Sequence, residues 1–233
     1  MKHILLISQY FYPETFRVND MAIEWVKRGY KVTVLTGIPN YPMGKFYDGY
    51  DYKHKRREKW NGVDIIRIPL IPRGNSRNKL LNAGGMIANY LSFIASGRWW
   101  VRKNNIKADL VFTVEVSPMT QALIGIWYKK RYHIPAYLYV QDLWPENVET
   151  VTGIHSRLII SPVNRMVDKI YRETDKIVYQ LCKENAIDLT ILRPTMIYGN
   201  LHDHNISVFI RMVDRCKVMP TVNGAHYELQ PVH

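Results

Sequence analysis

Cysteine is nearly absent from this chain of 233 residues: there are two, Cys182 and Cys216. A pair 34 residues apart makes neither a disulfide framework nor a metal-binding signature. Glycine is missing from Met1 to Arg28. That excludes a GxGxxG turn after the first predicted strand, and no GxxxxGK[ST] loop occurs anywhere. Residues 1–178 are therefore not expected to hold NAD or ATP by those loops. Long hydrophobic runs are lacking as well. The opening MKHILLIS soon turns polar and carries no small-residue cleavage site, so it does not read as a signal peptide. A cytoplasmic protein with reduced thiols is the expectation. Repeats, low-complexity tracts, zinc-finger spacings and RNA-recognition motifs are also missing, and no nucleic-acid partner is expected.

Charge is present and unevenly placed. Residues 1–178 carry 27 Lys+Arg against 15 Asp+Glu, and 27 − 15 is the whole net charge of +12. Residues 179–233 carry five of each and both cysteines. The shift near Tyr179 predicts two domains, 1–178 and 179–233. The excess of positive charge points to an acidic partner or surface.

Short apolar runs alternate with longer amphipathic ones through the first 178 residues. Residues 4–7, 31–35, 64–68, 109–114 and 136–140 read as strands, with residues 175–178 as a last one. Residues 16–29, 118–132 and 156–173 read as helices, the first with Met21, Trp25 and Arg28 near one face and Gly29 as its stop. Strands separated by helices predict βαβ units in a mostly parallel, Rossmann-like α/β sheet. Ligands of such sheets bind beyond the carboxyl ends of the strands.

Four predicted strand ends carry similar loops. The first holds Gln9, Tyr10, Phe11, Pro13 and Glu14. The second holds Asn40, Tyr41, Pro42 and Gly44. The third holds Glu115, Ser117 and Pro118. The fourth holds Gln141, Asp142, Trp144, Pro145 and Glu146. Pro and Asn shape turns on their own account. Four loops rich in Pro, aromatics and carboxylates at one edge predict a binding rim.

These residues carry a resemblance. The stretches ISQYFYPET (7–15), RGYKVTVLTGIPNYPMGK (28–45), DGYDYKHKRREKWNGVDIIRIP (48–69), NYLSF (89–93) and QDLWPE (141–146) resemble the N-terminal domain of family-four, GT-B-fold glycosyltransferases. The nearest branch builds bacterial capsule, O-antigen or colanic-acid-type polysaccharide and includes the fucosamine-transferase-like members. The resemblance implies one Rossmann-like half of a GT-B fold. It implies metal-free transfer of a sugar, with retained configuration, from a nucleotide-sugar to a lipid-linked or saccharide acceptor. The acceptor is held mainly by this half and the nucleotide by the other. No cofactor is implied.

Asp142 matches the family's D-L-W-P-E motif and is the first candidate catalytic carboxylate, positioned to hydrogen-bond the incoming hydroxyl or steady a positive anomeric carbon. Glu14 is the second. Tyr10, Phe11, Asn40, Tyr41, Glu115, Trp144 and Glu146 are the candidate acceptor-binding residues, with Trp144 suited to stack on a sugar face. Asp142 also fits the N-cap of a following helix, with Pro145 early in it.

From Leu80 to Gly97 the chain runs 18 residues without a charge, and a basic, tryptophan-bearing stretch carries it on to Lys103. Its glycines and asparagines make a poor spanning helix. It reads either as a crossover helix on the sheet or as an interfacial segment on an anionic membrane. The basic run from Lys53 to Lys59 would add attraction.

Beyond residue 180 the pattern departs. LTILRPTMIYG (189–199), DHNISVFIRMVDR (203–215) and LQPVH (229–233) resemble an internal slice of the NAD-dependent sugar-nucleotide epimerases and dehydratases. A short α/β tail is implied, with no packing specified. In the YxxxK pattern of Tyr179 and Lys183 only nine residues separate Lys183 from Arg193, too few for that family's catalytic pair. His202, Asp203 and His204 suit no common zinc spacing.

The family's usual donor-side signature, a glutamate pair on a helix, is not found in 179–233. The expectation is a sugar-transferring domain with little activity alone. One alternative is an NAD-dependent epimerase or dehydratase fragment, for which NAD would be the cofactor. Another is a noncatalytic acceptor-binding module that pairs with a separate donor-domain polypeptide.

Overall fold

The computed structural model describes residues 1–76, 78–115, 117–140 and 157–184. Six strands form one sheet: β1 (His3–Ile7), β2 (Lys31–Gly37), β3 (Arg57–Trp60), β4 (Val63–Ile68), β5 (Leu110–Glu115) and β6 (Ala136–Val140). Among the described residues four helices accompany them: α1 (Arg17–Lys27), α2 (Lys79–Lys103), α3 (Ala122–Tyr132) and α4 (Arg157–Glu184). The sheet order is β3-β4-β2-β1-β5-β6. All pairings are parallel except β3 with β4. The fold class is α/β: a Rossmann-like, mostly parallel sheet with flanking helices.

The parallel strands are apolar along their length because both faces are covered. Alternation sends Leu5 and Ile7 to one face, with Leu35, Ile66 and Ile68, under Phe93 and Trp100 of α2 and Ile124 and Tyr128 of α3. It sends Leu6 to the other, with Val34, Ile65 and Val114, under Val18 and Ala22 of α1. Helix α4 packs beside α3 and against β6, where Val167 and Ile170 meet Met119, Ala122 and Ile126, with Leu138 of β6 at the same cluster.

Helix α1 stops as expected. Gly29 takes φ +86°, its amide bonds Val26 O, and the Tyr30 amide bonds Trp25 O. This is a Schellman closure, which needs a left-handed residue. The buried face of α1 runs through Val18, Ala22 and half-buried Trp25, one step round from the expected Met21–Trp25–Arg28 face.

Three further sequence readings are corrected. Residues 175–178 are not a strand; α4 runs through them. Residues 118–132 divide into a 3-10 turn at Met119–Gln121 and then α3. Part of the basic run becomes β3, an antiparallel edge strand joined to β4 through Asn61 and Gly62, both at positive φ. Charged edge strands of this kind resist sheet-to-sheet pairing.

The segment from Leu80 to Lys103 does cross over the sheet as α2, burying Asn89, Phe93, Trp100 and Val101. Among the described residues no helix is long and apolar enough to cross a membrane. Contacts divide the chain into residues 1–189 and 190–233. Tyr179 and Lys183 lie within α4; the tail's motifs from residue 189 onward lie outside the described residues.

Candidate functional site

The parallel strands stand in the order β4-β2-β1-β5-β6, and the direction of winding reverses between β1 and β5. In open α/β sheets that switch point opens a crevice at the carboxyl edge. The loops after β1, β2 and β5 reach this edge. Each contains a cis X-Pro bond: Tyr12–Pro13, Tyr41–Pro42 and Ser117–Pro118.

Buried side chains tie these loops together. Gln9 follows β1; its amide donates to Gln121 Oε1 at 2.8 Å, across the switch point. Gln9 Nε2 donates to Asn89 Oδ1 at 2.6 Å. Asn89 Nδ2 donates to Ile71 O at 2.6 Å and to Asn40 Oδ1 at 3.3 Å. Asn40 Oδ1 also accepts the Arg73 amide at 3.1 Å. One chain of amides therefore joins the loops after β1, β2 and β4 to the middle of α2.

Glu14 closes the second link. Its carboxylate is 2% exposed. Oε1 accepts the amides of Asn40 at 2.8 Å and Tyr41 at 2.7 Å, and Oε2 accepts that of Phe11 at 3.3 Å. Burial pushes its pKa up to about 7, and the three amides and the nearby Arg67 oppose that rise. Burial wins because no cation pairs directly with the carboxylate to offset its lost hydration.

Arg67 supports the same loop from β4. It is 1% exposed. Nη2 donates to Tyr12 O at 2.8 Å and Nη1 to Lys55 O at 3.0 Å. Nη1 also pairs with Glu58 at 2.8 Å. The guanidinium lies over the Tyr50 ring, 4.8 Å from its centre.

Above this framework sit the aromatic residues. The Tyr10 ring stacks on Phe16 at 5.3 Å and meets Tyr41 at 5.5 Å. Tyr41 is 38% exposed, and the Arg73 guanidinium lies 5.8 Å from its ring centre. Burial and the neighbouring Tyr90 push the Tyr10 hydroxyl's pKa up. Tyr10 itself is buried at 5% exposure, so the outward-facing groups here are the Tyr41 ring and Arg73, held over a buried amide framework.

The structure brings Tyr10, Glu14, Asn40 and Tyr41 together. Phe11 points away from the rim into the core, edge-on to Trp60 at 5.9 Å. Glu115 is buried at the end of β5, where Oε1 accepts the Ser117 amide at 3.2 Å. Asp142, Trp144 and Glu146 follow β6, which ends at this edge; they lie outside the described residues. Sequence reasoning missed Gln9, Arg67, Arg73 and Asn89 as parts of the site. Asn89 had a signal: it is an amide on the otherwise apolar, sheet-facing side of a helix, where a polar group needs a partner. Among the described residues no group of three or more His, Cys, Asp or Glu could hold a metal ion.

No family model matches the chain, and no curated protein matches it. Solved structures with similarity include sucrose-phosphate synthase from Thermosynechococcus elongatus, 14% identical, with a TM-score of 0.49 over 86% of this chain and 49% of that one. The C-terminal domain of a hydrogenase from Pyrococcus furiosus is 21% identical, with a TM-score of 0.38 over 60% of this chain and 91% of that one. CalG4, the calicheamicin glycosyltransferase, is 11% identical, with a TM-score of 0.38 over 80% of this chain and 42% of that one. The chain spans about half the length of the synthase and less of CalG4.

Proposed function

We propose that residues 1–178 form the acceptor-side half of a glycosyltransferase of bacterial surface-polysaccharide synthesis. The observation that carries this reading is the rim at the switch point. There Glu14 and Asn40 fix two loops beneath the rings of Tyr10 and Tyr41. A saccharide can lay a C–H face on the exposed Tyr41 ring and set hydroxyls against the Arg73 cation, while the buried amides hold both in place. The family resemblance of the same loops supplies the reaction class.

Glycosyl transfer forms a bond between the acceptor oxygen and the anomeric carbon and breaks the bond from that carbon to the leaving diphosphate. The acceptor proton passes to an oxygen of the departing diphosphate as this happens. Asp142 is the carboxylate proposed to accept the acceptor hydroxyl's hydrogen bond, and Trp144 and Glu146 are proposed neighbours of the sugar. Glu14 acts here as a positioning residue, because three backbone amides already occupy its carboxylate.

The test is transfer of labelled sugar from UDP- and GDP-sugars to a panel of lipid-linked saccharides, with the full chain alone and together with a nucleotide-binding partner domain. Transfer abolished by Asp142→Asn supports the reading. Tight NADH binding with no saccharide binding would favour the epimerase or dehydratase reading instead.

A further inference from the structure

Helix α2 has two unlike sides. One packs on the sheet through Asn89, Phe93, Trp100 and Val101. The other presents Leu81 at 66%, Ile87 at 55%, Leu91 at 59% and Trp99 at 64% exposure. At 100° per residue, Ile87, Leu91, Ala95, Trp99 and Arg102 fall on one stripe. Such a stripe is costly to leave in water.

Along the sequence of α2 and its flanks charge has one sign, although Arg67 is buried and Arg98 lies over the Trp127 ring. From residue 65 to residue 108 the chain has eight Lys+Arg (Arg67, Arg73, Arg77, Lys79, Arg98, Arg102, Lys103, Lys107) and no Asp or Glu. Arg98, Arg102 and Lys103 are exposed beside Trp99.

Two hydrogen bonds extend the apolar face towards the basic loop. The Ile71 amide donates to Ser92 Oγ of α2 at 2.8 Å, and Ile71 is itself exposed. Tyr52 Oη donates to Leu70 O at 3.1 Å, which sets the exposed Tyr52 beside the residue that precedes Ile71. The two segments that looked membrane-seeking in the sequence are thus neighbours in the fold.

We infer that the exposed stripe of α2, with Ile71 and Tyr52 beside it, docks the protein on a bilayer bearing anionic headgroups. Apolar side chains would enter the headgroup boundary, Trp99 would sit at headgroup level, and the flanking cations would meet lipid phosphates. The lack of acidic groups over those 44 residues favours a lipid surface over a protein; the one carboxylate adjoining Tyr52 in the sequence, Asp51, is paired with His54. Protein interfaces reduce charge at their centre and pair what remains. The inference rests on α2's own surface and does not depend on sugar transfer.

Flotation of the full chain with vesicles decides it. One set is phosphatidylcholine alone; the other has equal parts phosphatidylcholine and phosphatidylglycerol. Binding to the anionic vesicles at low salt, lost at high salt, is expected. The double variant Leu91→Ser with Trp99→Ser, and separately Arg102→Gln with Lys103→Gln, should each weaken binding at least tenfold. All four side chains are solvent-exposed or at the surface end of the helix, and unchanged thermal melting would show that the variants fold. Three results overturn the inference. The first is no flotation with anionic vesicles at low salt. The second is flotation indifferent to both variants. The third is concentration-dependent self-association that the same variants abolish, which would make the face a protein contact.

Discussion

Glu14 and Tyr41 lie 27 positions apart in the sequence, yet Glu14 Oε1 accepts the Tyr41 amide at 2.7 Å. The bond holds the most exposed ring of the rim over the loop that follows β1. A buried carboxylate shared among three amides fixes two loops with one side chain, at the cost of removing a charge from water.

That cost makes stability depend on pH. The folded-state pKa of Glu14 is raised to about 7 from an ordinary 4.5, so the folded protein binds the proton more tightly than the unfolded chain. Its contribution is fully present below about pH 4.5 and is lost as pH rises through about 7. A shift of that size corresponds to about 3 kcal/mol. Glu14→Gln should flatten the fall in melting temperature between pH 5 and 8, measured against wild type. An identical slope in the variant would assign the dependence to other groups.

Glu14→Ala should behave differently, because it leaves the amides of Phe11, Asn40 and Tyr41 without their acceptor. We expect a loss of about 3 kcal/mol by urea unfolding, with faster hydrogen exchange at the Asn40 and Tyr41 amides than at the strands.

Asn89→Leu keeps the side chain's size but removes one acceptor and one donor from the amide chain. Gln9 Nε2 and Ile71 O would be stranded. The expected cost is about 2 to 3 kcal/mol, read from chemical denaturation. Asn89→Asp would retain the acceptor for Gln9 and should lose less only at low pH, where the carboxyl also donates.

Arg67→Lys tests whether the fork or the charge matters. One ammonium cannot reach Tyr12 O, Lys55 O and Glu58 together. A loss of about 2 kcal/mol is expected despite the conserved charge. A neutral result would show that the planar fork is dispensable at this position.

Most of the sheet was legible in the sequence because buried parallel strands are short, continuous apolar runs such as ILLI at residues 4–7. The stop of α1 was legible in Gly29. Strand β3 was not, because its residues Arg57, Glu58 and Lys59 read as a solvated loop. The Asn61–Gly62 pair between Trp60 and Val63 was the missed sign of a two-residue hairpin turn. The strand expected at 175–178 failed for the opposite reason. A short apolar run satisfies either period, and only the longer amphipathic pattern of α4 distinguishes them. Of the site, the carboxyl-edge loops could be read from Pro and aromatic residues. The framework under them could not, since Gln9 meets Asn89, and Arg67 meets the Tyr12 carbonyl, only through the tertiary fold.

The central claim is that this rim holds a saccharide. Saturation-transfer difference NMR on the full chain, with a panel of short bacterial-type saccharides, tests it most directly. We predict transfer to the sugar C–H protons of at least one saccharide, abolished by Tyr41→Ala with the fold retained. No transfer to any saccharide, or transfer that Tyr41→Ala leaves unchanged, would contradict the claim.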